Sequence, residues 1–340
     1  MRRGSSYGKM KLRSITLGIL SSLFFSVTFV LNRRMSLSGE SWIWSASLRY
    51  LFMLPMLFII VLYRRTFLTM IHEMMRLPWQ WLIWSVIGFG LFYIPLCISA
   101  DFAPSWLIAA SWQFTIIAGS LLAPFFYDVD DTTTGVHKVR KKIPLRGLLI
   151  SGIIFVGILV VELGHATSTS FSDIWMGSLP IIVAAFAYPL GNRKMMEICT
   201  GRLDAIERVF GMTIASLPLW IVLSVIGVRV AGWPPVGQVE QTAMIALSSG
   251  VIGTVLFFAA SDLTKGNMHE LAVVEATQSG EVVFTLLLAM LFLSWRLPSL
   301  VSLAGIILIV LGMVAHSLWS NSEPGSSNRR ATVFKSSDSL

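Results

Sequence analysis

The sequence is short of charged residues. Only 13% of its 340 residues are charged and 55% are apolar, whereas an ordinary soluble domain has about 25% charged residues. The mean hydropathy of +0.74 points the same way. In water, too few polar side chains would remain to cover so much apolar surface. The composition therefore argues against a soluble enzyme and against a disordered chain.

Cysteines and metal-ligand patterns are scarce as well. The two cysteines, Cys97 and Cys199, are too few for a disulfide-built scaffold. The histidines stand apart, and the sequence has no HExxH motif, no Walker loop and no GxGxxG after a strand. The net charge is +8, but the basic residues lie in loops and tails rather than on a DNA-reading element. We therefore expect no metal, no cofactor, no nucleic-acid partner and no enzymatic activity.

What the sequence does contain is a series of long apolar runs. A helix needs about 20 mostly apolar residues to cross about 30 Å of hydrocarbon. Ten segments are candidates for such helices: 12–31, 42–63, 79–98, 104–126, 145–163, 175–191, 206–228, 240–260, 269–293 and 298–319. They are too long for strands and lack the alternation of a membrane barrel. The sequence therefore predicts an all-α integral membrane protein with ten transmembrane helices, called spans 1 to 10 below.

The positive charges predict an orientation. If both termini are cytoplasmic, the inner segments carry 20 of the 26 lysines and arginines and the outer segments carry four. The remaining two, Arg49 and Arg208, lie within spans. Because cytoplasmic segments are enriched in Lys and Arg, we expect a multi-pass protein of the cell (inner) membrane with both termini in the cytoplasm.

The two halves of the chain resemble each other at an offset of about 160 residues. Asn32-Arg33 after span 1 matches Asn192-Arg193 after span 6, and Ser111-Trp112-Gln113 in span 4 matches Ala276-Thr277-Gln278 in span 9. Since each half has an odd number of spans, the second half would be inserted upside down, as in the inverted repeats of many secondary transporters. Chance similarity between apolar segments is the alternative.

This repeat defines the expected domain organisation. Residues 1–127 would hold spans 1–4, residues 128–144 a cytoplasmic linker loop, and residues 145–163 the fifth span that completes the first repeat. Residues 164–319 would form the second repeat with spans 6–10, and residues 320–340 a disordered cytoplasmic tail. Two five-helix repeats in one chain remove the need for a dimer, so we expect the protein to function as a monomer.

Charged groups within the spans are the candidate functional residues. A charge at the bilayer centre costs about 2.5–3.5 kcal/mol on insertion scales and persists mainly when it is paired or functional. Glu281 lies about 12 residues into span 9, near the midplane at about 1.5 Å per residue. Glu275, Gln278 and Glu281 should form one polar stripe that faces a cavity. Glu281 could exchange a proton for a substrate cation, or it could be part of a structural ion pair.

Arg49, Trp112 and Gln113 complete the candidate site. Arg49 lies about seven residues into span 2, and we expect it to pair with Glu275 or Glu281 at this depth. Trp112 and Gln113 lie deeper in their span than the tryptophans at the span ends. An aromatic face beside a carboxylate suits an organic cation, although ordinary helix packing explains Trp112 equally well.

Three segments carry a resemblance to a known family: Phe29-Val-Leu-Asn-Arg33, Ser41-Trp-Ile-Trp-Ser-Ala-Ser-Leu-Arg-Tyr50 and Ala109-Ala-Ser-Trp-Gln-Phe-Thr-Ile-Ile-Ala-Gly119. The chain resembles the drug/metabolite transporter superfamily, and within it the multidrug resistance efflux branch, over roughly residues 12–319. The resemblance implies that spans 1–4 and 6–9 surround a central cavity. Spans 5 and 10 would pack at the side through their glycines.

The sequence departs from the family pattern at two points. Many superfamily members carry Leu-Gly-Glu after span 9, where this chain has Leu293-Ser294-Trp295-Arg296. The small four-span relatives couple protons to export through a glutamate in their first helix. Span 1 of this chain has no acidic residue, so that role cannot be transferred to it.

Three functions remain open from the sequence. The first is a secondary active exporter of small amphipathic, cationic compounds that is coupled to proton entry. The second is an exporter of amino acids or other polar metabolites with the same fold, in which Arg49 holds a carboxylate. The third is a membrane-embedded enzyme, which the lack of a catalytic motif disfavours, or a scaffold, which would not need glutamates near the midplane. The expected partners are therefore a small-molecule substrate and the lipid bilayer.

Overall fold

The fold was analysed in a computed structural model that describes residues 2–132, 135–140, 143, 145–166, 171–199, 201–263, 274, 277–293 and 297–319. Nearly all of these residues are helical, which confirms the predicted all-α class. Seven helices are long and apolar enough to cross a membrane, and three shorter apolar helices accompany them. Together they correspond to the ten predicted spans.

The first five spans occur in the predicted order. Their bounds are Arg2–Leu37 for span 1, Trp42–Tyr63 for span 2, Pro78–Phe102 for span 3, Ser105–Leu121 for span 4 and Leu145–Ala166 for span 5. A helix over Phe67–Arg76, called the surface helix below, lies between spans 2 and 3. Span 3 begins with a proline at its first position, where the missing N–H costs no hydrogen bond.

The second five spans follow the same order. Their described bounds are Phe171–Cys199 for span 6, Ala205–Ala231 for span 7, Val236–Leu263 for span 8, Thr277–Phe292 for span 9 and Leu300–Trp319 for span 10. Span 6 is longer than predicted at both ends, and Pro180 and Pro189 lie inside the helix without ending it. Neighbouring helices can compensate for such prolines in membranes.

The linker between spans 4 and 5 contains two strands, β1 (Tyr127–Thr132) and β2 (Gly135–Arg140). They pair antiparallel, with Tyr127 opposite Arg140 and Thr132 opposite Gly135. We expected an irregular loop over residues 128–144. The β-branched residues Val129, Val136 and Val139 favour an extended chain, so the described part of the linker forms a hairpin.

Two glycines reverse the chain at equivalent places. Gly39 follows span 1 and Gly201 follows span 6, and both have φ of +74°. Residues with a Cβ rarely adopt this conformation, whereas glycine adopts it readily. The spans that follow are capped by side chains: Ser41 accepts a hydrogen bond from the backbone N–H of Ile43, and Asp204 accepts one from that of Glu207.

The packing of the spans is reciprocal between the halves. Span 1 packs on spans 8 and 9, and span 6 packs on spans 3 and 4. Spans 2 and 7 pack on each other, and so do spans 5 and 10. The last pair meets backbone to backbone: a Cβ at Gly157 would lie 3.0 Å from the carbonyl oxygen of Gly305. This contact agrees with the expectation that glycines join spans 5 and 10.

Candidate functional site

A cavity of about 400 Å³ lies between the two halves. Side chains of spans 1–4 and 6–9 line it, together with Met313 of span 10, as the family resemblance implied. Its volume falls in the range of about 300–1,000 Å³ that is usual for small-molecule sites. Its lining includes the polar side chains of Arg49, Gln113, Arg193, Arg208, Gln278 and Glu281.

Glu281 lies at the beginning of a helix rather than within a continuous one. The α-helix of span 9 runs over Gly280–Phe292, and a single 3₁₀ turn over Thr277–Ser279 precedes it. The Glu281 side chain is only 5% exposed and lines the cavity. Within the part of the chain that the structure describes, no lysine or arginine forms an ion pair with Glu281.

The predicted polar stripe on span 9 is only partly visible. Gln278 lines the same cavity as Glu281, and its amide nitrogen donates to the carbonyl oxygen of Gly18 at 3.4 Å, at the limit of a hydrogen bond. Glu275 lies outside the described residues. Two of the three predicted stripe residues therefore face one cavity.

Arg49 is buried, with 6% of its surface exposed, but it does not pair with Glu281. Its Nη2 donates to the hydroxyl of Ser249 at 2.9 Å, and its guanidinium lies 4.1 Å from the ring centre of Tyr93. Of the two expected partners of Arg49, Glu281 does not pair with it, because the guanidinium is held by span 8 and by an aromatic ring, and Glu275 lies outside the described residues. Nε and Nη1 of Arg49 have no hydrogen-bond partner among the described atoms.

Sequence reasoning missed the residues that hold Arg49. The amide of Asn32 donates to the Tyr93 hydroxyl at 3.2 Å, and the ring of Tyr50 stacks on Trp220 at 4.3 Å between centroids. Tyr50 also meets the Tyr93 ring edge-on at 5.7 Å. These contacts join residues that lie far apart in the sequence. Among these residues, only Tyr50 could have been selected from the sequence, because it is the neighbour of Arg49 in the chain.

Trp112 belongs to a group of three aromatic side chains that we call the aromatic trio: Phe92, Trp112 and Tyr188. The ring centroids are 5.1 Å apart for Phe92 and Trp112, 4.8 Å for Phe92 and Tyr188, and 5.6 Å for Trp112 and Tyr188. All three rings line the cavity that Glu281 lines. The trio comes from spans 3, 4 and 6, so Trp112 both packs between helices and faces the cavity.

Gln113 marks a break in span 4. Helical segments run over Ser105–Trp112 and Phe114–Leu121, and the buried Gln113 side chain donates to the carbonyl of Ala109 at 3.1 Å. We had predicted a continuous span. The 3₁₀ turn over Thr277–Ser279 lies at the matching place in span 9. Discontinuous helices beside a cavity are typical of transporter binding sites.

A second pair of irregular segments also lies at matching places. Span 3 contains a π-helical stretch over Val86–Gly90, and span 8 contains one over Ala246–Gly253. Phe89 and Ser249, one from each stretch, line the cavity. Such π-helical stretches occur frequently at functional sites.

Glu162 of span 5 is an additional buried acid that the sequence analysis did not select. Its Oε1 accepts hydrogen bonds from Ser111 of span 4 at 2.7 Å and from Ser178 of span 6 at 2.9 Å. Oε2 has no hydrogen-bond partner among the described atoms. The sequence shows Glu162 as an acid within an apolar run. Because it lies near the end of span 5, nothing in the sequence indicated a buried carboxyl there.

No metal site is visible in the described part of the chain, because no three His, Cys, Asp or Glu side chains are grouped as ligands would be. The comparisons with known proteins point to transport. A family model described as "EmrE: Putative multidrug resistance efflux transporter" matches residues 12–322.

Two relatives are similar over most of the chain. The "Uncharacterized protein YjlA" of Bacillus subtilis (strain 168) is 50% identical over 309 residues, which cover 91% of this chain and 95% of the relative. The "Uncharacterized 42.1 kDa protein in intracellular alkaline protease 3'region" of Shouchella clausii is 46% identical over 270 residues, 79% of this chain and 70% of the relative.

A solved structure described only as "Crystal structure of protein" has the same fold. It superposes with a TM-score of 0.60 at 14% identity and covers 89% of this chain and 96% of its own. The family model spans nearly the whole helical part of the chain. The chain therefore belongs to the multidrug resistance efflux transporter (EmrE) family of the drug/metabolite transporter superfamily.

Proposed function

We propose that the protein is a secondary active transporter of the cell membrane that exports small amphipathic compounds with a cationic group and is coupled to proton entry. One observation carries this proposal: Glu281 and the aromatic trio line a single cavity between the two halves. Cations are attracted both to a carboxylate and to aromatic faces. Family membership supports transport rather than catalysis.

Glu281 is the proposed coupling group. When its carboxyl is ionised, it attracts the cationic group of a substrate. When it binds a proton, that attraction is lost and the substrate is released. If the cavity opens alternately to the two sides, each proton that enters the cell through Glu281 displaces a substrate outwards. The position of Glu281 on the cavity wall supports this role, since its carboxyl borders the space that a substrate would occupy.

The alternating opening is supported by matched features of the two halves. Both contain a glycine turn, at Gly39 and Gly201, and a π-helical stretch in their third span. Both contain an irregular turn in their fourth span, and their helices pack reciprocally. We propose that residues 1–163 and 164–319 are inverted repeats that rock against each other about the cavity. One chain then supplies both halves and functions as a monomer, with both termini in the cytoplasm.

Transport into inverted membrane vesicles tests the proposal. We expect vesicles that contain the protein to accumulate radiolabelled tetraphenylphosphonium or radiolabelled tryptophan only while their lumen is acidic, and to lose it when nigericin collapses the pH gradient. Glu281→Gln should abolish the response to the gradient, and Glu73→Gln on the surface helix is the matched control that should keep it.

Two results would contradict parts of the proposal. If neither compound responds to the gradient, or if Glu281→Gln responds fully, proton coupling through Glu281 is excluded. A response to tryptophan alone would instead narrow the substrate class to compounds that carry a carboxylate as well as a cationic group.

A further inference from the structure

Arg49 has hydrogen-bond donors that nothing in the described chain accepts. Its side chain is 6% exposed and lines the cavity, and only Nη2 has an acceptor, the hydroxyl of Ser249. Nε and Nη1 are buried without a partner among the described atoms. A buried charge whose donors stay unpaired is unfavourable. Arg49 therefore lacks hydrogen-bond acceptors that a ligand in the cavity could supply.

An aromatic ring lies against the guanidinium of Arg49. The centre of the Tyr93 ring lies 4.1 Å from the guanidinium carbon. The N–H donors of a guanidinium lie in its plane and point from its edge. The contact with Tyr93 therefore helps to hold the guanidinium in place, while Nε and Nη1 stay without an acceptor among the described atoms.

The charges that line the cavity are unequal. Three arginines, Arg49, Arg193 and Arg208, and one described glutamate, Glu281, contribute to the lining. Arg193 donates to the carbonyl oxygen of Gly119 at 2.6 Å. A ligand with only a positive charge would satisfy Glu281 but would leave Nε and Nη1 of Arg49 without an acceptor. A ligand that also carries an anionic group would satisfy both residues.

We infer that Arg49 forms a subsite for the carboxylate of the substrate, so that the transported compound is a small zwitterion with an apolar ring. Its ammonium group binds towards Glu281, its ring packs against the aromatic trio, and its carboxylate accepts hydrogen bonds from Nε and Nη1 of Arg49. This inference rests on the proposed function, because it names the substrate class of the same cavity. It adds a requirement for negative charge that a site built only for cations would not have.

Three indole compounds separate the groups of such a ligand. Tryptophan carries both charges, tryptamine carries only the ammonium, and indole-3-propionate carries only the carboxylate. We would measure the binding of each to the purified protein in detergent by isothermal titration calorimetry. We expect tryptophan to bind at least ten-fold more tightly than either of the other two compounds.

Variants of Arg49 assign the preference to the guanidinium. In Arg49→Gln, the affinity for tryptophan should fall at least ten-fold, to the level of tryptamine, while tryptamine binds as well as to the wild type or better. Arg49→Lys keeps the charge and should retain part of the preference. Arg76→Gln on the surface helix is the control and should change none of the affinities. Retained tryptamine binding shows that the Arg49→Gln variant is folded, and the wild-type comparison tests the inference even if the variant does not fold.

The inference is overturned if wild-type protein binds tryptamine as tightly as tryptophan, if none of the three compounds binds, or if Arg49→Gln leaves tryptophan binding unchanged. The first and third of these results would still be compatible with proton-coupled export of tetraphenylphosphonium, and so with the proposed function. Loss of the response to the pH gradient in vesicles would instead contradict the proposed function, so the two failures are distinguishable.

Discussion

The Ser111 hydroxyl donates a 2.7 Å hydrogen bond to Oε1 of Glu162 and thereby links span 4 to span 5, two residues before the break at Gln113. Ser178 of span 6 donates to the same oxygen at 2.9 Å. One carboxyl group thus holds three helices together. Inside a bilayer, water is not available to replace such bonds.

Replacing Glu162 separates its role as an acceptor from its acidity. Glu162→Ala leaves the hydroxyls of Ser111 and Ser178 without their acceptor and should lower the free energy of unfolding by about 1–3 kcal/mol. Glu162→Gln keeps an amide oxygen that can accept both bonds and should stay close to the wild type. Thermal unfolding of the purified variants in detergent measures the difference. Equal destabilisation by both substitutions would show that the charge, and not the acceptor, matters.

Close packing of spans 3 and 6 predicts that one glycine cannot be replaced. A Cβ at Gly191 would clash with the backbone of Gly88 and lie 2.8 Å from the carbonyl oxygen of Trp84. Gly191→Ala should therefore destabilise the protein by about 1–3 kcal/mol, as overpacking usually does. At Gly152 a Cβ would meet no atom within 4 Å, so Gly152→Ala should be neutral or stabilise by up to about 1 kcal/mol. Unfolding temperatures that fall equally for both variants would refute the packing argument.

The start of span 7 depends on Asp204. Its carboxylate accepts from the backbone N–H of Glu207 at 2.9 Å, and it forms a 2.6 Å ion pair with Arg64 at the end of span 2. Asp204→Ala should cost about 1 kcal/mol because the helix loses its cap. Asp204→Ser keeps a capping oxygen and loses only the half-exposed ion pair, so its effect should be smaller. Chemical denaturation in mixed micelles can compare the free energies of unfolding of the two variants. A larger loss of stability in Asp204→Ser than in Asp204→Ala would contradict the role of Asp204 as the helix cap.

The lowered pKa of Glu73 predicts that the stability of the protein depends on pH. Partial burial by itself would raise the pKa of Glu73, but hydrogen bonds from Arg202 and Arg76 outweigh it and hold the pKa below the usual value of 4.5. The folded state therefore binds the proton less readily than the unfolded state does. The stabilisation is complete above pH 4.5 and is lost as the pH falls below it, through the lower pKa of the folded protein.

Acid titration of the wild type and of Glu73→Gln tests this dependence. The fall in unfolding temperature below pH 4.5 should be shallower in the variant, which has no proton to bind at this position. Lys194→Gln, which removes the ion pair with Glu197 near the end of span 6, provides a comparison with Glu73 intact. Identical acid curves for Glu73→Gln and the wild type would exclude Glu73 as a contributor.

Much of the helical architecture could be predicted from the sequence, because apolar runs of sufficient length leave a chain few alternatives in a bilayer. Span 2 was predicted at 42–63 and is found at Trp42–Tyr63. The irregular turns at Gln113 and Thr277–Ser279 were not predicted, because apolar length does not reveal where a helix is interrupted. Likewise, nothing in the local sequence of Arg49 indicated that Ser249, 200 residues away, would accept its hydrogen bond.

By itself, the sequence determined that this chain has about ten apolar helices and that its charges lie mostly outside them. It also showed that Arg49 and Glu281 are charged residues within spans and that Trp112 lies deeper than the tryptophans at the span ends. These are consequences of hydrophobicity and length, which act residue by residue. Only the tertiary structure decided that Arg49 turns to Tyr93 and Ser249 rather than to Glu281, and that the aromatic trio joins Glu281 in one cavity. The direction of a side chain depends on how several distant helices pack around it, and that packing is not encoded in any single segment.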